Sequence, residues 1–219
     1  LLAASLDEVG PRERDNVANL LARRVDGLVL MPASERQDYL AADVRAGLPI
    51  VFADRRPRGI DSDSVTVDNA AGADLAIEHL LAHGHRRIGV ITDLRTIPTA
   101  AERLDGVRSA YAAAGLPLEP SLVVTDVRTP SDASRAAVAL LDRADPPTAF
   151  FSARNVIAEG VLRTLAARGR HYEIAHIGFD GFPLADLGDR FAVVVGGQAR
   201  EEGADIEAET LVDHLIVGA

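Results

Sequence analysis

The sequence predicts an α/β protein with parallel sheets, and three observations carry that prediction. Short apolar runs recur along the whole chain, most are continuous rather than alternating, and helical patterns separate most of them. A strand covered on both faces reads as an unbroken apolar run, whereas a half-exposed one alternates. Strands and helices in alternation need crossover connections, which are right-handed and leave the strands parallel.

The predicted strands are LLAAS at 1–5, GLVLM at 27–31, PIVFA at 49–53, SVTV at 64–67, RIGVIT at 87–92, LVVT at 122–125, TAFFS at 148–152, IAHIG at 174–178 and AVVVG at 192–196. Between GLVLM and PIVFA, Ser34-x-x-Gln37 has the form of a capping box, Leu40 and Val44 lie four apart, and Gly47 predicts the stop. Arg56–Asp63 is rich in Pro, Gly and Asp and reads as a surface excursion before the next strand. Asp68–Asn69 then predicts a turn into a helix that Gly84 stops. Leu104, Val107 and Tyr111 stripe a further helix that ends at Gly115, and Val161, Leu162 and Leu165 stripe another that ends at Gly169. No periodic repeat or low-complexity stretch interrupts this order.

Composition narrows the function. The chain has 219 residues, 47% of them hydrophobic, without an apolar tract long enough to span a bilayer and without a basic-then-apolar leader. These features predict no membrane partner and a cytoplasmic protein. With no cysteine, neither disulfides nor thiolate metal sites can form. A formal charge of −10 argues against duplex DNA binding by these residues alone, because phosphate contact needs a basic face. His79 and His83 lie four apart and His85 follows, yet no acidic residue accompanies them at metal-ligand spacing. The expectation is no metal, no cofactor and no enzyme, since no phosphate-binding glycine loop, nucleophile elbow or catalytic triad pattern occurs.

In open α/β sheets, ligands bind outside the carboxyl ends of the strands. Asp54 and Arg55 follow PIVFA, and Asp93 follows RIGVIT on a loop that leads to Arg103. Asp126 and Arg128 follow LVVT, Arg154 and Asn155 follow TAFFS, Phe179 and Asp180 follow IAHIG, and Gln198 follows AVVVG. Asp, Arg, Asn and Gln suit bidentate hydrogen bonding to hydroxyls and carboxylates. Each could instead be an exposed loop residue or a helix cap.

The stretch SVTVDNAAGADLAIEHLLAHGHRRIGVI at 64–91 resembles the effector-binding core of LacI/GalR-family transcription regulators. PTAFFSARNVIAEG at 147–160, IAHIGFDGFPLADL at 174–187 and VGGQAREEG at 195–203 agree with that family in order and spacing. The resemblance implies two Rossmann-like parallel-sheet lobes joined by a hinge. It puts 1–68 in the N-terminal lobe and 69–196 in the C-terminal lobe, with 197–219 returning to the first through a helix at about 199–217. It also implies that the core starts one strand and helix before LLAAS, so the chain reads as a fragment whose DNA-binding head lies elsewhere. Operator DNA would be contacted only through that helix-turn-helix head, by a homodimer. Effector contacts carried over by motif fall on Asp54, Arg103 and Asp180, with Gln198 matching less tightly.

This sequence departs from the family at two places. Arg154-Asn155 stands where Asn-Asp is usual, and Arg128 or Thr129 stands where an aromatic is frequent. With Arg55 and Arg103, these arginines shift the expected effector from a plain sugar towards a sugar acid or sugar phosphate. The alternative is that Arg128 and Arg154 point to solvent or pair with Asp126 and Glu159. A solute-binding receptor of a sugar ABC transporter shares the implied fold and is the competing reading.

Overall fold

The structure, a computed structural model, describes residues 1–5, 10–34, 36–181, 191–194 and 197–200, the last two stretches as strand backbone. In chain order the elements are α1 (Gly10–Ala22), β1 (Leu28–Leu30), a 3-10 turn (Asp38–Leu40), α2 (Ala41–Arg45), β2 (Ile50–Ala53), β3 (Asp63–Asp68), α3 (Asn69–Ala82), β4 (Ile88–Ile91), α4 (Pro98–Ala113), a second 3-10 turn (Pro120–Leu122), β5 (Val123–Val124), α5 (Pro130–Leu141), β6 (Ala149–Ser152), α6 (Asn155–Ala167), β7 (Ala175–Phe179), β8 (Phe191–Val194) and β9 (Gly197–Arg200). They form two compact units, Leu1–Val67 joined by residues from Ala199, and Asp68–Gln198.

The first unit carries a four-stranded sheet in the order β1-β2-β3-β9. β1 and β2 pair in parallel from Leu28↔Ile50 to Leu30↔Phe52, and β2 and β3 from Val51↔Asp63 to Ala53↔Val65. Leu28, Leu30, Ile50 and Phe52 are buried with Val17 and Leu40, while Val29, Val65 and Val67 are exposed at the alternate positions. α1 is held by a polar anchor as well as by Val17. The fully buried Glu13 carboxylate accepts from the Ala33 and Ser34 amides and from the Tyr39 hydroxyl, the last at 2.7 Å. Burial and the Glu13 carboxylate together push the Tyr39 hydroxyl up, so it stays a neutral phenol.

Two expectations are corrected here. LLAAS is not a strand: no ladder partner for residues 1–5 exists among the described residues, and the Ser5 carbonyl instead accepts from the Asn16 side chain. Ser34 and Gln37 do not form a capping box. Ser34 Oγ donates to the Gly10 carbonyl, while the buried Gln37 amide donates to the Ser34 carbonyl and accepts from the Arg58 amide. Both side chains tie the loop after β1 to neighbouring segments, and the helix starts later, in the 3-10 turn at Asp38–Leu40.

The second unit carries a five-stranded sheet in the order β5-β4-β6-β7-β8, parallel throughout. Consecutive Phe150 and Phe151 project to opposite faces, as the pleat requires, and both are fully buried. Phe151 packs with Ile88, Val90, Ile177 and residues of α3 and α4. Phe150 packs with Ile91 and with residues of α5 and α6. The unit is therefore three layers deep. Gly84, Gly115 and Gly169 follow α3, α4 and α6 with φ of 87°, 67° and 65°, as the sequence anticipates. The predicted turn at Asp68 is an N-cap, whose side chain accepts from the Ala71 amide at 2.9 Å.

Within both layers of helices, a glycine lets two backbones touch. A Cβ added at Gly106 of α4 would stand 2.1 Å from the Ala70 carbonyl oxygen of α3, and one at Gly160 of α6 would stand 2.2 Å from the Pro130 carbonyl oxygen of α5. Gly106→Ala gains about 1 kcal/mol of helix propensity but forces the helices apart, which costs roughly 3 kcal/mol. The clash wins. A urea midpoint lowered by a net ~2 kcal/mol with unchanged m-value is the expected result, and a stabilised variant would show that the helices separate freely.

Candidate functional site

Parallel pairing gathers the carboxyl ends of β4, β6 and β7 on one edge of the second unit. Aspartates stand just past the strands there, and three among the described residues share a rare backbone conformation: Asp54 after β2, Asp126 after β5 and Asp180 after β7 have φ of 69°, 66° and 68°. The left-handed region costs a non-glycine residue roughly 1–2 kcal/mol. Asp is among the few residues that tolerate it, and its recurrence at strand ends makes these edges the candidate site.

Arg103 is the centre of the first cluster. It rises from α4, is only 8% exposed, and reaches the ends of two strands. Its Nε donates to Asn69 Oδ1 at 2.8 Å and its Nη1 to the Ala153 carbonyl at 2.8 Å. Asp180 Oδ2 lies 3.5 Å from the same Nη1. The guanidinium carbon sits 3.7 Å from the centroid of the Phe179 ring, a close cation–π contact. Asn69, the buried first residue of α3, donates in turn to Glu102 at 2.8 Å. One guanidinium thus fixes the start of α3 and the ends of β6 and β7.

A second cluster joins β4 and β6. Arg154 Nη1 donates to Asp93 Oδ2, and Asp93 Oδ1 accepts from the Leu94 amide at 2.7 Å. Asp93 is 4% exposed. The neighbouring Thr92 is 1% exposed, and its hydroxyl has no hydrogen-bond partner among the described residues. The Asp126 amide donates to the Asp93 carbonyl at 3.2 Å, and Arg95 lies 4.0 Å from the Asp126 carboxylate. Glu159 pairs with Arg163 rather than with Arg154. Arg128 is exposed, before the N-cap residue Thr129 of α5.

In the first unit, Arg55 Nη1 donates to the Pro32 carbonyl at 3.0 Å and its Nε lies 3.4 Å from Asp54 Oδ2. Gln198 falls in β9, which also takes residues 199 and 200 of the helix expected over about 199–217. The chain is extended there, a correction to that expectation, and the Gln198 side chain and residues 201–217 lie outside the described residues. Below the second unit's edge, Ser152 Oγ and His176 Nε2 are 2.8 Å apart and both residues are buried. Burial pushes the His176 imidazole down to about 3, so it stays neutral.

Sequence reasoning selects Arg103, Asp180 and Arg154 and lists Asp93 past its strand, but it gives Asp93 no partner and misses Asn69. Asn69 was legible as a helix-start polar residue in a buried strand–helix junction. The Asp93 partnership was not, because it depends on which strands are neighbours.

A sequence profile described as periplasmic binding proteins and sugar binding domain of LacI family matches residues 9–186. The HTH-type transcriptional regulator CelR of Thermobifida fusca is 31% identical over 210 residues, 93% of this chain and 61% of that protein. The HTH-type transcriptional repressor PurR of Pasteurella multocida is 31% identical over 172 residues, 76% of this chain and 51% of that protein. The chain spans about half to three-fifths of the length of the curated relatives it matches. Among solved structures, a CelR–cellobiose complex superimposes with a TM-score of 0.69 at 31% identity, over 84% of this chain and 58% of that one. A sugar-binding LacI-family regulator from Escherichia coli complexed with phosphate gives 0.70 at 26% identity, over 84% and 68%. The profile match over most of the chain, the relatives and the doubly layered parallel sheets agree: this chain belongs to the family of periplasmic binding proteins and LacI-type sugar-binding domains.

Proposed function

We propose that the chain is the effector-sensing core of a DNA-binding transcription regulator, a repressor, and that its effector is a small sugar-like molecule. The observation that carries this reading is the Arg103 cluster, a buried guanidinium held by Asn69 and the Ala153 carbonyl beside a left-handed Asp180. A fixed donor fork next to a fixed carboxylate suits a ligand with adjacent hydroxyls. Arg103, Asp180 and Arg154 are the proposed contacts on the second unit, with Arg128 and Gln198 as additional candidates. Asp54 and Arg55 are the proposed contacts on the first. Cellobiose in the CelR complex and the regulator names of the relatives support the sugar and the regulatory role.

Operator contact belongs, in this reading, to a helix-turn-helix head outside these residues, and the working form is a cytoplasmic homodimer. The lobe boundaries at 1–68, 69–196 and 197–219 are part of the same proposal. Effector binding would shift a conformational equilibrium by its differential affinity, on the order of 1–3 kcal/mol. No helix among the described residues is long and apolar enough to cross a membrane. A transporter's solute receptor is the less favoured reading, because the matched relatives are named as regulators.

A thermal-shift and calorimetry screen of sugars, cellobiose included, tests the reading. A binder is expected, and Asp180→Ala should weaken it by about ten- to a hundredfold, since a charged hydrogen bond contributes roughly 1.5–3 kcal/mol. Failure of every sugar to bind would remove the sugar effector, and an unchanged affinity in Asp180→Ala would remove that residue from the site.

A further inference from the structure

We propose that Asp93 is a specificity-determining residue: paired with Arg154, it makes the second unit's ligand edge select an uncharged, hydroxyl-bearing ligand over the corresponding acid or phosphate ester. This inference rests on the sugar-sensing reading above and assigns the charge class of its ligand.

The pair follows from the sheet. β4 and β6 are neighbours whose last register pair is Ile91↔Ser152, and Asp93 and Arg154 each stand two residues past it. The strand order therefore brings them side by side. Asp93 is buried and both its oxygens are engaged, one by the Leu94 amide and one by Arg154. The Arg154 side chain remains 32% exposed. A guanidinium has five donors, and the ion pair with Asp93 uses Nη1. The pair thus presents an oriented donor group whose charge is already balanced.

The same balance holds along the edge. Arg103 has Asp180 at 3.5 Å and Arg95 has Asp126 at 4.0 Å. Among the described residues, three arginines and three aspartates sum to zero, with Glu102 beside Asn69 and the exposed Arg128 adding one charge of each sign. An incoming carboxylate or phosphate would meet three carboxylates and would compete with Asp93, which cannot turn to bulk water, for Arg154. A hydroxyl faces no such repulsion and can both accept from Arg154 and donate to an aspartate. The arginine count alone suggested an anion site; the partners of those arginines point the other way.

The experiment is calorimetry on this chain with matched probes: cellobiose, D-glucose, D-galactose and D-mannose, the three monosaccharides each beside its uronate and its 6-phosphate. In wild type, the neutral member of each binding set is expected to bind at least tenfold more tightly than its charged partners. Asp93→Asn should raise the affinity for the charged members about tenfold and erase that preference. Arg154→Gln should weaken the neutral member about tenfold without creating anion binding, and it serves as the second variant if Asp93→Asn lowers the melting temperature too far to assay. Wild type preferring a uronate or phosphate would overturn the proposal, as would an unchanged ratio in both variants. Should every probe fail to bind wild type, the sugar-sensing reading falls and this one with it. Binding without charge preference overturns this inference alone.

Discussion

Replacing Arg103 with alanine is expected to lower stability by about 3 kcal/mol and to abolish effector binding together. The stability loss arises because Asn69 Oδ1 and the Ala153 carbonyl lose their donor in a buried setting, and the Phe179 ring loses the cation above it. A buried acceptor stripped of its partner costs roughly 1–3 kcal/mol, and two are affected here. Asp180 contributes less, since its side chain is 45% exposed and solvent screens the 3.5 Å contact. Arg103→Lys should recover little, because an ammonium cannot bond Asn69 and Ala153 at the angles a planar fork provides. Urea denaturation and calorimetry on both variants provide the check. An alanine variant as stable as wild type would mean that the cluster does not hold the three elements together.

The second large effect concerns acid. His176 is neutral in the folded chain, with burial pushing it down to about 3 from an ordinary value of 6.5. Unfolded, it takes up a proton below 6.5, which the folded state refuses. Stability from this group is therefore complete above pH 6.5 and is lost as pH falls towards 3. At about 1.4 kcal/mol per pH unit, roughly 3 kcal/mol should have gone by pH 4.5. Carboxylates also destabilise the fold in acid, so the diagnostic quantity is the difference between wild type and His176→Gln. The variant can keep a hydrogen bond to Ser152 but has nothing to titrate. Its melting temperature should fall less between pH 7 and 4.5. Parallel curves for the two proteins would show that His176 accepts a proton while folded.

Much of the fold is legible in the sequence because the second unit's strands are buried on both faces. IGVI, AFFS and AHIGF are continuous apolar runs for that reason, and the helices between them carry apolar stripes and glycine stops. α1 escapes the same reading. Only Glu13 and Val17 of its residues are buried, and Val17, Leu20 and Leu21 give a single apolar turn in an otherwise polar segment, too short a stripe to be read as a helix. The Ser34–Gln37 spacing matches a cap in sequence, but tertiary partners at Gly10 and Arg58 claim both side chains. Residues 1–5 have strand composition without a described ladder. In the candidate site, position past a strand end singled out Arg154 and Asp180, and the family motif singled out Arg103 within α4. Their partners did not follow from position, since Asn69 lies 34 residues from Arg103 and Asp93 lies 61 from Arg154.

Backbone contact at Gly106 and Gly160 has a mechanical meaning. Where a carbonyl oxygen of one helix rests on the Cα of its neighbour, there is no side-chain layer to flex, and the pair can neither slide nor tilt by small rotamer changes. Such a pair lies against each face of the second unit's sheet. The unit therefore resists internal deformation, and under the proposed effector contacts at Arg103 and Asp180 a bound molecule would load a stiff body rather than be absorbed as local repacking.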